Sequence, residues 1–166
     1  MKNLLLVSFL MITCLTWAQS ATAYFDKAMK KAEAGNTKGA IADYTKAISM
    51  NSHFVEAYQN RGVAKYKMND LQGALADFTT AIELDTMNSD AFAGRANVSY
   101  KLNNYDAAIE DCSYCLMMNP KDYVALNLRG LCYNKMGDKK KSCKDFSKAI
   151  ELGSQSAIKN RATFCK

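Results

Sequence analysis

The length and composition of this chain predict one folded, helical domain. With 166 residues, 49% hydrophobic and 23% charged, it can bury a core, which excludes a disordered protein. One proline and eight glycines favour helices over a β-rich fold. The net charge of +6 would assist binding to an acidic partner but is too modest to indicate nucleic acid binding.

The segment 1–18 differs from the rest of the chain. Lys2 is followed by a nearly unbroken apolar run, Leu4–Leu15, and small residues precede the end of this segment at Ala18. The pattern is that of a secretory signal peptide, and the run is too short to span a bilayer. We expect cleavage after Ala18 and a mature protein without a transmembrane span, periplasmic or secreted, in a Gram-negative bacterium. Lipid attachment at Cys14 is the minor alternative.

A nine-residue motif recurs four times at a constant offset, the signature of a repeat protein. It reads AIADYTKAI from Ala40, ALADFTTAI from Ala74, AIEDCSYCL from Ala108 and SCKDFSKAI from Ser142. The offset defines four units of equal length, 21–54, 55–88, 89–122 and 123–156. The segment 157–166 repeats only the start of a unit, and we expect it to form a helix that caps the last one.

Each unit is predicted to contain two helices joined by a short turn. Apolar residues recur at helical spacing in the second helices, as at Leu75, Phe78 and Ile82. Residue pairs that form turns and cap helices separate the two helices. These pairs are Gly35-Asn36, Asn69-Asp70, Asn103-Asn104 and Gly137-Asp138.

The repeating unit, about 34 residues long, resembles the tetratricopeptide repeat. Small residues recur where paired helices would cross, at Ala28, Gly62, Ala96 and Gly130, and an aromatic position holds Tyr24, Tyr58 and Phe92, with Leu126 as a departure. The resemblance implies an all-α fold, a right-handed α-solenoid of four helix-turn-helix units with a C-terminal capping helix. It also implies a scaffold or adaptor whose first helices line a concave groove that binds a peptide or protein segment.

The alignment of the units predicts which side chains line that groove. Amides would bind the backbone of an extended peptide, aromatic rings would cover its side chains and ammonium groups would attract carboxylates. The predicted groove residues are Gln59, Asn60, Val63, Tyr66, Lys67, Asn97, Tyr100, Lys101, Asn127, Leu131, Asn134 and Lys135. The lysines also end helices, where cations complement the dipole, and this interpretation stays open. Only Asn60 matches the side chains with which some family members grip a C-terminal carboxylate, so we do not expect that activity.

Aspartate and arginine recur in register along the units. Each aspartate of a second helix is followed by an arginine in the next first helix, at a spacing that is constant except at the shortened cap. We expect a structural charge pair at every junction that fixes the register of the units, with a functional arginine row as the alternative. The expected pairs are Asp43 with Arg61, Asp77 with Arg95, Asp111 with Arg129 and Asp145 with Arg161.

Five cysteines follow the signal peptide, all in the C-terminal third. We expect a disulfide between Cys143, on the last repeat helix, and Cys165, on the cap that packs against it. A second bridge from Cys132 to Cys112 or Cys115 remains open. Because Cys112 and Cys115 fall inside a helix at packing positions, the sequence favours structural thiols, and a thiol–disulfide redox protein is the alternative function.

No enzyme motif is present in the sequence. It lacks a nucleophile elbow and a glycine-rich phosphate loop, and its single histidine, His53, is far in the repeat alignment from the cysteines. We expect no catalysis, no cofactor, no metal and no nucleic acid. We expect a protein or peptide partner; an acidic one would suit the excess of basic residues after Asn88. A self-assembling envelope component is a further alternative.

Overall fold

A computed structural model describes residues 20–165, which form nine α-helices and no strand. The predicted signal peptide and Cys14 lie outside this range. The helices are α1 (20–33), α2 (Thr37–Met50), α3 (Val55–Lys67), α4 (Leu71–Leu84), α5 (Ser89–Lys101), α6 (Tyr105–Met118), α7 (Tyr123–Lys135), α8 (Lys139–Glu151) and α9 (Gln155–Phe164). The all-α prediction is therefore confirmed.

The helices pack as antiparallel neighbours within two compact units, which divide between Leu84 and Asp85. In the first unit α1 packs on α2, and α3 packs on both α2 and α4. In the second unit α5 packs on α6, α6 on α7 and α7 on α8, and α9 packs on α8 and α7. Each unit thus contains two helical hairpins, and the second unit also carries the single helix α9.

The turn inside each hairpin has the same backbone conformation. Its middle residue has a positive φ of 61–83°, which only glycine and asparagine adopt at little cost. The residue after it caps the second helix, as where Asp138 accepts a hydrogen bond from the Lys141 amide at 3.0 Å. The middle residues are Gly35, Asn69, Asn103 and Gly137.

Small residues let the two helices of a hairpin approach closely. Ala28 is fully buried beside Tyr44 of the neighbouring helix. A Cβ atom placed on Gly130 would lie 2.7 Å from Cε1 of Phe146, well inside van der Waals contact. Each large side chain of a second helix therefore needs a small residue opposite it in the first helix.

The last helix is held to the second unit by several contacts. Its buried Ala157 faces the core, and Ser154 caps the helix by accepting a hydrogen bond from the Ala157 amide. The Asn160 amide donates to Oδ1 of Asn127 on α7 at 2.8 Å. Cys143 of α8 and Cys165, the residue after α9, are joined by a disulfide with an S–S distance of 2.03 Å. The C-terminal end of α9 is thereby tied to α8.

Candidate binding surfaces

A cavity of about 220 Å³ opens in the first unit between α1, α2 and α3. We name it the α1–α3 cavity. Its floor combines apolar side chains with a few polar ones, the usual composition of a site that holds part of a ligand. The lining residues are Met29, Ala32, Glu33, Thr37, Tyr44, Asn60, Val63, Ala64 and Lys67.

The polar groups of this cavity are arranged around an apolar centre. Val63 leaves 38% of its surface exposed, and the buried Tyr44 donates its hydroxyl to Sδ of Met29 at 3.1 Å. Burial, and to a lesser degree the charge of Glu33, raises the pKa of Tyr44, so the hydroxyl stays protonated. The side-chain nitrogen of Asn60 donates to the Glu56 carbonyl at 2.8 Å. That bond orients the Asn60 amide and leaves its oxygen to accept from a ligand.

Three of the predicted groove residues line this cavity, namely Asn60, Val63 and Lys67. Gln59 and Tyr66 lie on the same helix but are not part of the lining, and both already interact within the protein. Two residues of α2, Thr37 and Tyr44, also line the cavity, and the groove prediction omitted them.

The predicted groove residues of the second unit lie on α5 and α7, which contact each other. The ring of Tyr100 lies 5.7 Å from that of Tyr105, and burial raises its pKa. Asn97 donates to the Ala93 carbonyl at 2.8 Å. Asn127 accepts from Asn160 of α9 and is therefore engaged in holding the cap. The remaining predicted residues of this unit are Lys101, Leu131, Asn134 and Lys135, of which Lys101 and Lys135 end their helices.

The predicted pairing of aspartates with arginines across unit junctions is wrong. Each arginine instead binds the following aspartate, inside its own hairpin. Arg61 donates from Nε to Oδ2 of Asp77 at 2.9 Å and from Nη2 to Oδ1 at 2.7 Å. The same two bonds join Arg95 to Asp111 and Arg129 to Asp145, at 2.8–3.0 Å.

The ends of this series differ from its middle. Asp43 has no arginine in its own hairpin, and Lys31 binds it at 2.5 Å with Lys27 at 3.8 Å. Arg161 is exposed and does not bind Asp145, which Arg129 already holds. Counted by repeat position within residues 20–165, Lys27 and the four arginines make five basic residues for four aspartates.

The remaining guanidinium nitrogen, Nη1, connects successive hairpins. The charge pairs were expected to make this connection. Nη1 of Arg61 donates to the Thr45 hydroxyl of α2 at 3.0 Å. Nη1 of Arg129 donates to the Ser113 hydroxyl of α6 at 3.1 Å. Each of these two arginines thus binds an aspartate within its own hairpin. Across the junction it binds the hydroxyl that lies two positions after the aspartate of the preceding motif.

The other three cysteines are free and buried, so the second bridge considered from the sequence is absent among them. Burial raises the pKa of all three thiols, that of Cys132 to about 11. Cys115 donates a weak hydrogen bond to the Ser89 carbonyl at 3.5 Å. A reactive thiol needs a lowered pKa and access to solvent, and these three have neither.

Residues 20–165 hold neither a candidate metal cluster nor a candidate membrane span. No group of three or more His, Cys, Asp or Glu side chains converges there in a way that could hold a metal ion. No helix in that range has the length and apolar character needed to cross a membrane.

Sequence comparison matches two models described as tetratricopeptide repeat, at residues 60–115 and 123–153. Together they cover more than half of the chain. No curated protein gives a significant match.

Solved structures share the fold. A tetratricopeptide repeat protein from Parabacteroides merdae superimposes with a TM-score of 0.79 at 25% identity, over 87% of this chain and 58% of that one. The MamA protein gives 0.78 at 24% identity, over 81% and 73% of the two chains. The first TPR of Spaghetti (RPAP3), bound to the HSP90 peptide SRMEEVD, gives 0.71 at 22% identity, over 72% and 95%.

Proposed function

Since the chain belongs to the tetratricopeptide repeat family, we propose that it is a non-enzymatic scaffold that holds a peptide or protein segment against its first helices. The observation that carries this proposal is the α1–α3 cavity, a concave site at the predicted groove positions Asn60, Val63 and Lys67. That the related fold of Spaghetti carries a bound peptide supports the class of ligand.

The side chains that line the α1–α3 cavity indicate which kind of ligand it would bind. Met29 and Val63 offer an apolar surface to one aliphatic or aromatic side chain of the ligand. The oxygen of Asn60 would accept from a backbone amide beside that side chain. Glu33 and Lys67, both exposed at the rim, would favour opposite charges on either side of the anchor. An extended segment with one apolar anchor meets these requirements.

The test is a selection of binders from a random displayed-peptide library, followed by affinity measurements on two variants. Val63→Glu places a carboxylate in the cavity, whereas Val124→Glu makes the same change at an exposed valine on α7. We expect selected peptides to lose affinity about tenfold or more on Val63→Glu, because a charge must then be buried beside the anchor. Affinity should be unchanged on Val124→Glu. Equal binding to both variants would remove the cavity from the binding site.

The remaining predicted groove residues are tested together. A variant with Tyr66, Lys67, Tyr100 and Lys101 changed to alanine should weaken a longer selected peptide further than Val63→Glu alone, if the segment extends along the first helices. Unchanged affinity in the folded variant would confine the ligand to the α1–α3 cavity.

We also propose that the protein is exported. The support is the signal-peptide pattern of residues 1–18 together with the Cys143–Cys165 disulfide, a cross-link that persists in oxidising compartments. Cell fractionation followed by N-terminal sequencing tests this. Export predicts a mature N-terminus at residue 19 in the envelope or medium, whereas an intact Met1 in the cytoplasm would contradict it.

A further inference from the structure

The last helix, α9, carries an arginine-containing motif that in the hairpins binds an aspartate-containing motif of the next helix. No such next helix follows α9 among residues 20–165. In three hairpins the first helix carries an arginine followed by a small residue, and the second helix carries the aspartate that binds this arginine. In two of the three, the aspartate is followed by a phenylalanine whose ring lies over the small residue, which is a glycine. The observed pairs are Arg61-Gly62 with Asp77-Phe78, Arg95-Ala96 with Asp111-Cys112 and Arg129-Gly130 with Asp145-Phe146.

Arg161-Ala162 is the equivalent pair on α9. The helix aligns with α3 at a constant offset, so that Ile158 takes the place of Tyr58 and Ala162 that of Gly62. Both Arg161 and Ala162 are exposed, and Ile158 leaves 47% of its surface exposed. No second helix of the described chain covers this face.

A pocket of about 490 Å³ lies at these residues. It is lined by Ile150, Ile158, Arg161, Ala162 and Cys165, and we name it the terminal pocket. The disulfide between Cys165 and Cys143 of α8 forms part of its edge, so the end of α9 is fixed before any ligand arrives. The pocket therefore combines an apolar surface with one guanidinium that has no carboxylate partner within the described part of the chain.

We propose that the terminal pocket binds an amphipathic helix of a partner protein that carries an aspartate followed by a large apolar residue. The aspartate would accept hydrogen bonds from Nε and Nη2 of Arg161, as Asp77 does from Arg61. The apolar side chain would pack over Ala162, as Phe78 packs over Gly62. Two hydrogen bonds to a carboxylate give this contact both energy and a fixed orientation.

The charge of α9 favours an acidic helix as the occupant of the terminal pocket. α9 carries Lys159 and Arg161 and no acidic residue, which complements an acidic helix. The four motif aspartates are already bound within their own hairpins, namely Asp43, Asp77, Asp111 and Asp145.

A peptide with the sequence of α4 is the probe, because α4 contains the aspartate-aromatic pair Asp77-Phe78. A helix-stabilised, fluorescently labelled peptide of residues 71–84 is titrated with the full protein and followed by fluorescence polarisation. The matched control peptide carries Asp77→Asn, which keeps the shape and removes the charge. The protein variants are Arg161→Ala, Lys159→Ala on the same helix, and Ala162→Phe, which fills the space over α9.

We expect saturable binding of the native peptide that falls about tenfold or more with the Asn peptide, with Arg161→Ala and with Ala162→Phe. Lys159→Ala should change affinity less than threefold, and Val63→Glu should leave it unchanged, which separates this surface from the α1–α3 cavity. Equal affinity for the two peptides, an unaffected Arg161→Ala variant, or no saturation at millimolar protein would each overturn the proposal.

Discussion

Arg129 holds Asp145 with two parallel hydrogen bonds of 2.8 and 3.0 Å, and the aspartate is almost entirely buried. The carboxylate raises the pKa of Arg129 further, although this group is charged at any working pH. The same pair of bonds recurs in two other hairpins. The hairpin, and not the junction between hairpins, is therefore the unit that each charge pair holds together.

Arg129→Ala should lower the free energy of unfolding by about 3 kcal/mol, because it leaves the buried carboxylate of Asp145 without its partner. Arg161→Ala is the matched control, since it removes an exposed arginine from the same repeat position and should change stability by less than about 0.5 kcal/mol. Urea unfolding followed by circular dichroism measures both. Equal losses would mean that packing of the arginine stem, and not the charge pair, stabilises the hairpin.

Removing the disulfide should destabilise the second unit. Cys143 and Cys165 are 22 residues apart, and in the chain-entropy model a loop of that size contributes about 3 kcal/mol. Addition of dithiothreitol should therefore lower the urea midpoint of the native protein and increase hydrogen exchange in α9. A Cys143→Ser, Cys165→Ser variant should start at the lower midpoint and show no response to the reductant. A midpoint that does not move on reduction would contradict the expectation.

Cys112, Cys115 and Cys132 should not react with a thiol reagent at pH 8 in the folded protein, because they are buried and their pKa values are raised. All three should react once urea unfolds the chain, which provides the positive control. Fast labelling of the native protein would reopen the thiol–disulfide function.

The same thiols should make stability depend on pH above neutrality. In the unfolded chain they lose protons at an ordinary pKa of about 8.5, whereas in the folded protein they keep them until pH values such as 11 for Cys132. Their contribution to stability is complete below about pH 8.5 and is lost as the pH rises through the folded pKa. The free energy of unfolding should fall less steeply between pH 8 and 10 when the three cysteines are changed to alanine. Parallel slopes would argue against raised pKa values.

Two glycines allow the packing of the hairpins to be tested with one substitution. A Cβ on Gly130 would meet the buried ring of Phe146 at 2.7 Å, but a Cβ on Gly62 would meet Phe78 at 3.2 Å. Alanine gains about 1 kcal/mol of helix propensity at either position. We expect Gly62→Ala to be close to neutral and Gly130→Ala to destabilise by about 1–2 kcal/mol, because overpacking outweighs the gain there. Thermal unfolding measures the stability of both variants. Equal effects would mean that the ring of Phe146 moves freely.

Sequence periodicity was sufficient for the fold because the same physical requirement recurs in every unit. Gly35 and Asn69 show this: only residues that tolerate a positive φ occur at the middle of the turn, so the turn can be located without coordinates. The buried alanines and glycines are visible for the same reason. The groove is harder to predict, since the α1–α3 cavity also uses Thr37 and Tyr44 of α2, which occupy no position on the first helices.

The pairing of the charges failed because each arginine of the repeats stands between two aspartates in the sequence, as Arg61 does between Asp43 and Asp77. One signal could have decided between them. The spacing to the following aspartate is the same for every pair, from Lys27 and Asp43 onward, whereas the spacing to the preceding aspartate has to be shortened at α9. Within residues 20–165, Arg161 is the member of this series that no aspartate follows.

The three buried thiols constrain the order of events when the protein matures. In an unfolded chain an external oxidant could join Cys143 to any of the other four cysteines after residue 18, and three of those pairings would give a non-native disulfide. Once α6 and α7 have packed, Cys112, Cys115 and Cys132 are shielded from exchange, and Cys165 is the partner that remains. Packing of α6 and α7 before oxidation thus favours the native pairing of Cys143 with Cys165.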